Sequence, residues 1–509
     1  MAKEDQECIQ HLRLTDPRDD KKRIEETRGG LLEDSYCWIL DNTDFQQWYG
    51  SEQSQLLWIK GDPGKGKTML LCGIINELNK SMATTNVLSY FFCQATDLRI
   101  NKATAVLRGL LYMLVNQQPS LVSHVRKKYD QAGKALFEDA NAWVALSEIF
   151  ANMLQDPSLN TTYLIIDALD ECVSDLPKLL DFVAQQSSTS SRVKWIVSSR
   201  NWPVIEEYLA NVGDRVRLSL ELNAESVSTA VNVFIQHKVL QLAQKRKYDD
   251  KMQQAMQRHL ISNANGTFLW VALVCQSLEF IPRWRVVAAL NAFPPGLDSL
   301  YRQMMDQISN SGDAGLYKRI LAVIAIVYRP ITVTELTSLV EMPEDRADDP
   351  ESIREIIGLC GSFLTVREGV IYFMHQSAKD FLLEQVSSKI FPSGSEEAHR
   401  TVFSKSLQVL SKTLQRDMYN LRAAGYPIEQ VEQPDPDPLG TSRYSCVYWI
   451  DHLYACPQDY DHILLDDGKA HRFLQKHLLH WLEAMSLLKK IPDAIAAIRK
   501  LQSMLTVSS

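Results

Sequence analysis

The sequence predicts a parallel α/β sheet with helices on both faces, followed by a helical domain, a winged-helix domain and a C-terminal helical region. Three observations predict it. Continuous apolar runs alternate with helical stretches between residues 56 and 220. A glycine-rich loop joins the first run to the first of those helices. Beyond about residue 222 the runs give way to helical periodicity, interrupted by one pair of short strands. Strands buried on both faces read as unbroken apolar runs, which is the signature of a parallel sheet between helices.

Residues 1–50 are charged from Asp16 to Arg28 and then aromatic, with Tyr36, Trp38, Phe45 and Trp48, so they read as a helical lead-in that packs on the α/β domain after it. The α/β domain spans 51–222. Its predicted strands are Leu56–Ile59, Val87–Phe92, Tyr163–Ile166, Val193–Val197 and Val216–Leu220. Helices at Met69–Leu78, Ala103–Gln117 and Val144–Leu154 lie between them. A helical domain covers 223–312, broken at Asn265-Gly266 and Pro294-Pro295-Gly296. The order of elements over 313–390 suggests a winged helix. A helix at Leu316–Val327 is followed by one opened by the capping box of Thr332 and Glu335, and a third runs Glu351–Leu359. Two strands, Phe363–Val366 and Val370–Met374, then flank the turn Arg367–Gly369. Residues 391–509 are helical in pattern, with a loop at Glu432–Pro438.

The loop Gly61-Asp62-Pro63-Gly64-Lys65-Gly66-Lys67-Thr68, followed by Met69, is a P-loop. Such a loop holds a triphosphate with inward backbone N–H groups and the positive end of the next helix. Lys67 is placed for the β- and γ-phosphates and Thr68 for Mg²⁺. A second acidic site should end a buried neighbouring strand, and Leu164-Ile-Ile-Asp167-Ala-Leu-Asp170-Glu171 supplies it. Asp167 is the expected metal-side carboxylate, and Asp170 and Glu171 are candidates to orient or deprotonate water. Arg200, closing the strand Trp195–Ser199, is a candidate γ-phosphate sensor. The fold class is therefore an α/β P-loop NTPase with three further helical parts.

Bulk properties narrow the rest. The 509 residues are too many for one core, with 45% hydrophobic and 23% charged residues. The 54 Lys and Arg against 62 Asp and Glu leave a net charge of −8, which gives no global attraction to nucleic acid or to an anionic membrane. Nine cysteines without a close CxxC pair argue against a disulfide framework or structural zinc. No stretch approaches the roughly 18 apolar residues of a spanning helix. The expectation is a cytoplasmic protein with no membrane partner.

The chain resembles the NACHT class of STAND nucleotide switches, and in particular fungal proteins related to heterokaryon-incompatibility factors. The resemblance rests on Arg28–Trp38, Asp167–Glu171, Ala264–Trp270, Pro294–Tyr301, Arg329–Leu336, Phe373–Leu382 and His477–Glu483, so it covers nearly the whole chain. It implies a diphosphate-bound closed state, exchange for triphosphate, and self-oligomerisation of the open form. It also implies that His375 stands against the β-phosphate of bound diphosphate. Many relatives carry Gly-x-Pro where this chain has Gly266-Thr267-Phe268, so ATP and GTP (ADP and GDP at rest) stay open as ligands. No effector domain is recognised before residue 28 and no sensor repeats after residue 502, which leaves open a short family member, a fragment of a longer chain, or a partner for a separate effector or sensor protein that carries those parts.

The expected activity is slow hydrolysis serving a switch. Rival readings are a constitutive AAA-like ATPase, a scaffold that holds nucleotide without cycling, and a small-molecule kinase. DNA binding by the winged helix is disfavoured because Glu335, Glu341, Glu344, Asp345, Asp348, Asp349 and Glu351 would repel phosphate. His471, His477 and His480 lie near helical spacing, but no carboxylate or thiol completes a zinc site. Trp270, Trp284 and Trp481 are expected in the core.

Overall fold

The structure, a computed structural model, describes residues 2–51, 55–210, 212, 215–342, 349–422, 425–456 and 468–507. The chain forms two compact units, Met1–Leu300 and Tyr301–Ser509.

The first unit opens with three helices, α1 (Lys3–Leu12), α2 (Pro17–Thr27) and α3 (Thr43–Gly50). The α/β part then runs β1 (Leu56–Lys60), α4 (Lys67–Ser81), β2 (Val87–Phe92), α5 (Ala103–Gln117), α6 (Val122–Ala132), α7 (Ala142–Leu154), β3 (Thr162–Asp167), α8 (Leu176–Gln186), β4 (Val193–Ser199), α9 (Pro203–Ala210) and β5 (Arg215–Ser219). It ends in α10 (Ala224–Arg246), α11 (Asp250–Asn263), α12 (Phe268–Glu279) and α13 (Val286–Leu290), while α14 (Leu297–Ser309) runs on into the second unit.

The five strands are parallel in the order β2-β3-β4-β1-β5, and every residue of β2, β3 and β4 is buried. This burial explains the unbroken apolar runs. One expectation needs correction. The acidic strand β3 does not neighbour β1, because β4 lies between them and pairs with both. The lead-in packs on the sheet: Trp48 is fully buried, and Lys194 of β4 donates through Nζ to the carbonyls of Trp48, Tyr49 and Ser51 (2.6, 2.9 and 2.8 Å). That lysine satisfies the carbonyls left open at the end of α3.

The second unit continues with α15 (Ala314–Ile326), β6 (Ile331–Thr332), α16 (Val333–Leu339), α17 (Pro350–Leu359), β7 (Leu364–Arg367), β8 (Val370–Phe373), α18 (Gln376–Asp380), α19 (Ser387–Ile390), α20 (Ser395–Thr413), α21 (Arg443–Tyr454), α22 (Lys469–Leu487) and α23 (Ile491–Val507). Strands β6, β8 and β7 form an antiparallel sheet, so the expected hairpin gains a short third strand. The capping box at Thr332 and Glu335 is present in both directions. The helices from α20 onward share a core centred on Trp449 and Trp481, whose rings meet edge-on at 6.1 Å.

Of the three tryptophans expected in the core, Trp270 and Trp481 are buried, but Trp284 is 76% exposed. It sits in a single turn, Arg283–Arg285, after α12 has ended, so no apolar helix face carries it inward. The Arg285 guanidinium covers its ring at 4.6 Å. Among the acidic residues, Glu335 is buried and paired rather than presented to solvent, and Glu344, Asp345 and Asp348 lie outside the described residues. Among the described residues, all nine cysteines are free, no group of His, Cys, Asp and Glu has a metal-holding arrangement, and no helix is long and apolar enough to cross a membrane.

Candidate functional site

The ends of β1, β3 and β4 and the start of α4 meet at the glycine-rich loop. Gly61 N–H donates to O of Ser199, the last residue of β4 (3.2 Å), and Asp62 N–H to Glu221 Oε1 beyond β5 (2.7 Å). Asn201 Nδ2 donates to Asp62 Oδ1 (3.0 Å), so both strands flanking β1 tie down the loop through Asp62 and its neighbour before Pro63 turns it. Gly64 and Gly66 have φ of +79° and +87°, a region costly for any residue with a Cβ. Gly66 precedes α4 without a capping side chain, which leaves the N–H groups of the first turn, at Lys67, Thr68 and Met69, to an anion.

Lys67 Nζ donates to the carbonyls of Gly61 and Asp62 (2.5 and 3.0 Å). Burial pushes its pKa down, against the pull of Asp170 and Asp167. A phosphate here would favour the charged ammonium and offset that burial.

Asp167 ends β3 and is buried. Ser198 Oγ–H donates to its Oδ1 (2.5 Å), and the same Oγ accepts Ala168 N–H (2.9 Å). Burial pushes the Asp167 carboxyl up, while hydrogen bonds from Ser198 and Thr68 and the charge of Lys67 pull against it. A buried carboxylate beside the Thr68 hydroxyl is a hard-oxygen donor set that suits Mg²⁺, and the ion's charge would offset the desolvation. The residues present therefore fit the metal that a P-loop implies.

Ala168 takes φ +57° and turns the chain into a single 3₁₀ turn that carries Asp170 and Glu171. Asp170 is gripped twice by Arg200, through Nε to Oδ2 (2.9 Å) and through the backbone N–H to Oδ1 (3.0 Å). Glu171 accepts Ala95 N–H at Oε2 (3.0 Å). Burial first, and then the negative charge of Asp170, push its pKa up to about 7. A carboxylate poised there can take a proton from water at neutral pH.

Beside the loop lies a small cavity lined by Tyr36, Trp38, Met69, Val227, Ala230 and Phe268, among others. The turn before α12 closes onto the loop. Lys65 Nζ donates to Asn265 O (2.8 Å) and Leu269 N–H to Gly64 O (3.4 Å). A Cβ on Gly64 would lie 2.9 Å from Thr267 and Leu269, and one on Gly66 would lie 2.8 Å from the Phe268 ring. The bare backbone at both glycines is thus needed for this packing as well as for the turn.

The structure therefore brings together Gly61 to Met69, Asp167, Asp170, Glu171 and Arg200. His375 belongs to the second unit, where Nδ1 accepts Ser377 N–H (3.1 Å) and meets Ser377 Oγ (2.8 Å), capping α18. Sequence reasoning missed Ser198, Asn201 and Glu221, polar residues at strand ends with no motif around them. It also missed the cavity wall, although Arg28–Trp38 and Ala264–Trp270 stand out through the resemblance.

A family model described as "Nephrocystin 3, N-terminal" matches residues 34–200, the stretch from the cavity wall to Arg200. The chain is 58% identical over 519 residues to the vegetative incompatibility protein HET-E-1 of Podospora anserina, an alignment covering 98% of this chain. The chain is a HET-E-like protein of the NACHT type. This HET-E-like chain spans 38% of the length of that relative. Among solved structures, the Walker-type ATPase PABY2304 of Pyrococcus abyssi is 12% identical, with 69% of this chain and 95% of that one covered at a TM-score of 0.33. Cdc6p of Pyrobaculum aerophilum is 10% identical, with 70% and 93% covered at a TM-score of 0.30. Both likenesses are too distant to bear on the site.

Proposed function

We propose that this HET-E-like protein is a nucleotide-dependent signalling switch, off with ADP or GDP and on, as a self-oligomer, with ATP or GTP, in fungal non-self recognition. In this reading residues 51–222 bind nucleotide, and 223–312, 313–390 and 391–509 are the helical, winged-helix and C-terminal parts that answer to it. The protein works in the cytoplasm, with a separate effector or sensor as partner.

Lys67 and the first-turn N–H groups of α4 hold the phosphates. Thr68 and Asp167 hold Mg²⁺, directly and through water, and the ion supplies charge neutralisation between the phosphates. Glu171 accepts the proton of the attacking water.

The observation that carries the reading is the double grip of Asp170 on Arg200. Arg200 can answer a γ-phosphate by turning its guanidinium from Asp170 to the phosphate. That exchange frees a carboxylate beside Glu171, so one event reports the triphosphate and alters the hydrolytic base. A site built only for fast turnover has no need to hold its cation on a carboxylate.

The test is the nucleotide retained by purified protein, identified after denaturation, together with its turnover. The expected result is retained diphosphate and turnover well below one per minute, both lost in Lys67→Ala. Arg200→Ala should keep diphosphate yet fail to oligomerise with a non-hydrolysable triphosphate. Protein that is empty and turns over about once per second or faster would overturn the switch and leave a constitutive ATPase.

A further inference from the structure

The second unit carries a basic groove that the nucleotide site does not use. It lies between α20 and α22, about 490 Å³ in volume, within the range of small-molecule sites. Lys412 of α20 and Lys469, Arg472 and Lys476 of α22 line it, all four exposed. Its floor is apolar, from Leu407 and Phe473, and Ser404, Gln408 and Ser411 add neutral polar groups.

Three features separate this groove from an ordinary solvated helix face. The facing stretches, 404–412 and 469–477, contain no Asp or Glu, in a chain whose net charge is −8. Among the described residues none of the four cations forms an ion pair, whereas Arg400 and Lys405, also on α20, pair with Glu397 and Glu341. The acidic residues nearest in sequence, Asp466 and Asp467, lie outside the described residues.

The second feature is His477, which lines the groove with its side chain 6% exposed. Its ring stacks on Phe473 (5.5 Å between centroids). Its Nδ1 is buried without a hydrogen-bond partner among the described residues. A buried polar atom left unpaired costs stability, which the site repays if a ligand or a bridging water reaches it. Burial, with Lys476 and His480 nearby, pushes the His477 pKa down, and Leu414's carbonyl opposes this.

The third feature is the start of α22. Gly468 supplies no side-chain cap, and the positive end of the helix dipole falls in the same first turn as Lys469 and Arg472.

We propose that the groove between α20 and α22 is a second anion site, shaped for a compact molecule bearing several phosphates. Four unpaired cations over an apolar floor suit a small, highly charged ring or headgroup. They lack the stacking platforms and length of a nucleic-acid track. The ligand would bind the second unit whichever nucleotide the first unit holds.

The test uses the full chain at physiological ionic strength, with inositol hexakisphosphate as probe and titration calorimetry as readout. Binding is expected in the wild type and in Lys67→Ala, weakened at least about tenfold in Arg472→Glu/Lys476→Glu. The milder Lys412→Gln/Lys469→Gln should weaken it less. Thermal melting of each variant without probe separates lost binding from lost folding. The His477 ring signals should titrate at higher pH with the probe present, and this shift should vanish in the charge-reversed protein. Vesicles containing phosphatidylinositol bisphosphate, against plain phosphatidylcholine, distinguish a lipid headgroup from a free polyphosphate; binding to either supports the site. Binding that disappears in Lys67→Ala and survives charge reversal would overturn the proposal and assign the anion to the P-loop. Preference for duplex DNA over the probe would also overturn it.

Discussion

Glu171 gives the sharpest test of the hydrolytic chemistry. Its pKa is pushed up to about 7, first by burial and then by Asp170. The base works only when ionised. With a pKa near 7, about one-eleventh of the groups are ionised at pH 6 and ten-elevenths at pH 8, so a rate that needs the carboxylate rises about tenfold between them. The quantity to measure is kcat/KM for phosphate release, because it reports groups of the free protein. Asp170→Asn should move the inflection to lower pH, since it removes a negative neighbour and leaves Arg200 near Glu171 as a counter-charge. Glu171→Gln should lower the rate by about 10²- to 10⁴-fold while nucleotide is still bound. The sign for stability is opposite. The folded chain holds this proton more tightly than the unfolded one, so Glu171's contribution is full below the ordinary glutamate range and is lost as pH rises through about 7. A flat profile from pH 6 to 8, or normal turnover in Glu171→Gln, would refute the assignment.

Other outcomes rest on the same contacts. Gly66→Ala should weaken nucleotide binding and lower the melting temperature, since the new Cβ meets both a left-handed φ and the Phe268 ring. Phe268→Ala in the same chain should recover the steric part, leaving a backbone cost of about 1 kcal/mol. Lys194→Met should cost about 2–4 kcal/mol in chemical denaturation, because three carbonyls lose a charged donor. Glu335→Ala should cost about 3–5 kcal/mol, since the 1%-exposed carboxylate accepts from Arg329, Thr332 N–H and Tyr444 N–H, and its loss leaves a partly buried guanidinium unpaired. Lys194 lies near the start of β4, at the other end of the strand from Ser198 and Ser199, so its change should not alter the kcat/KM profile of the folded fraction.

Much of the fold was legible because its signals are local. Leu56–Ile59 and Trp195–Val197 are unbroken apolar runs because the sheet is covered on both faces, and the capping box at Thr332 needs only four residues of sequence. Strand order was not legible. Nothing within β3 or β4 says which of them lies beside β1, because that depends on how the crossovers pack. Trp284 misled for a related reason: periodicity continued past Phe280, but the helix did not. In the site, the glycines, Lys67, Thr68 and Asp167 stood out because phosphate and metal chemistry demands those residue types at fixed spacing. Their supports, Ser198, Asn201 and Glu221, are ordinary polar residues at strand ends, and only the fold brings them to the loop.

The insertion of β4 between β1 and β3 accounts for several of these supports together. Register pairs Ile59 with Ser198 and Lys60 with Ser199 on one side, and Ile166 with Val197 on the other. The last two residues of β4 are therefore flanked by the loop-bearing strand and the acidic strand. Both are serines, and both reach sideways: Ser198 to Asp167, and Ser199 to the indole N–H of Trp58 (2.9 Å). Larger apolar residues would pack equally well in a buried strand, but they would leave the Asp167 carboxylate without a hydroxyl and the Trp58 N–H without an acceptor. The same strand then delivers Arg200 one residue later, where it meets Asp170. A single strand thus spaces the phosphate loop from the metal-side acid, partners that acid, and ends in the cation that can report the γ-phosphate.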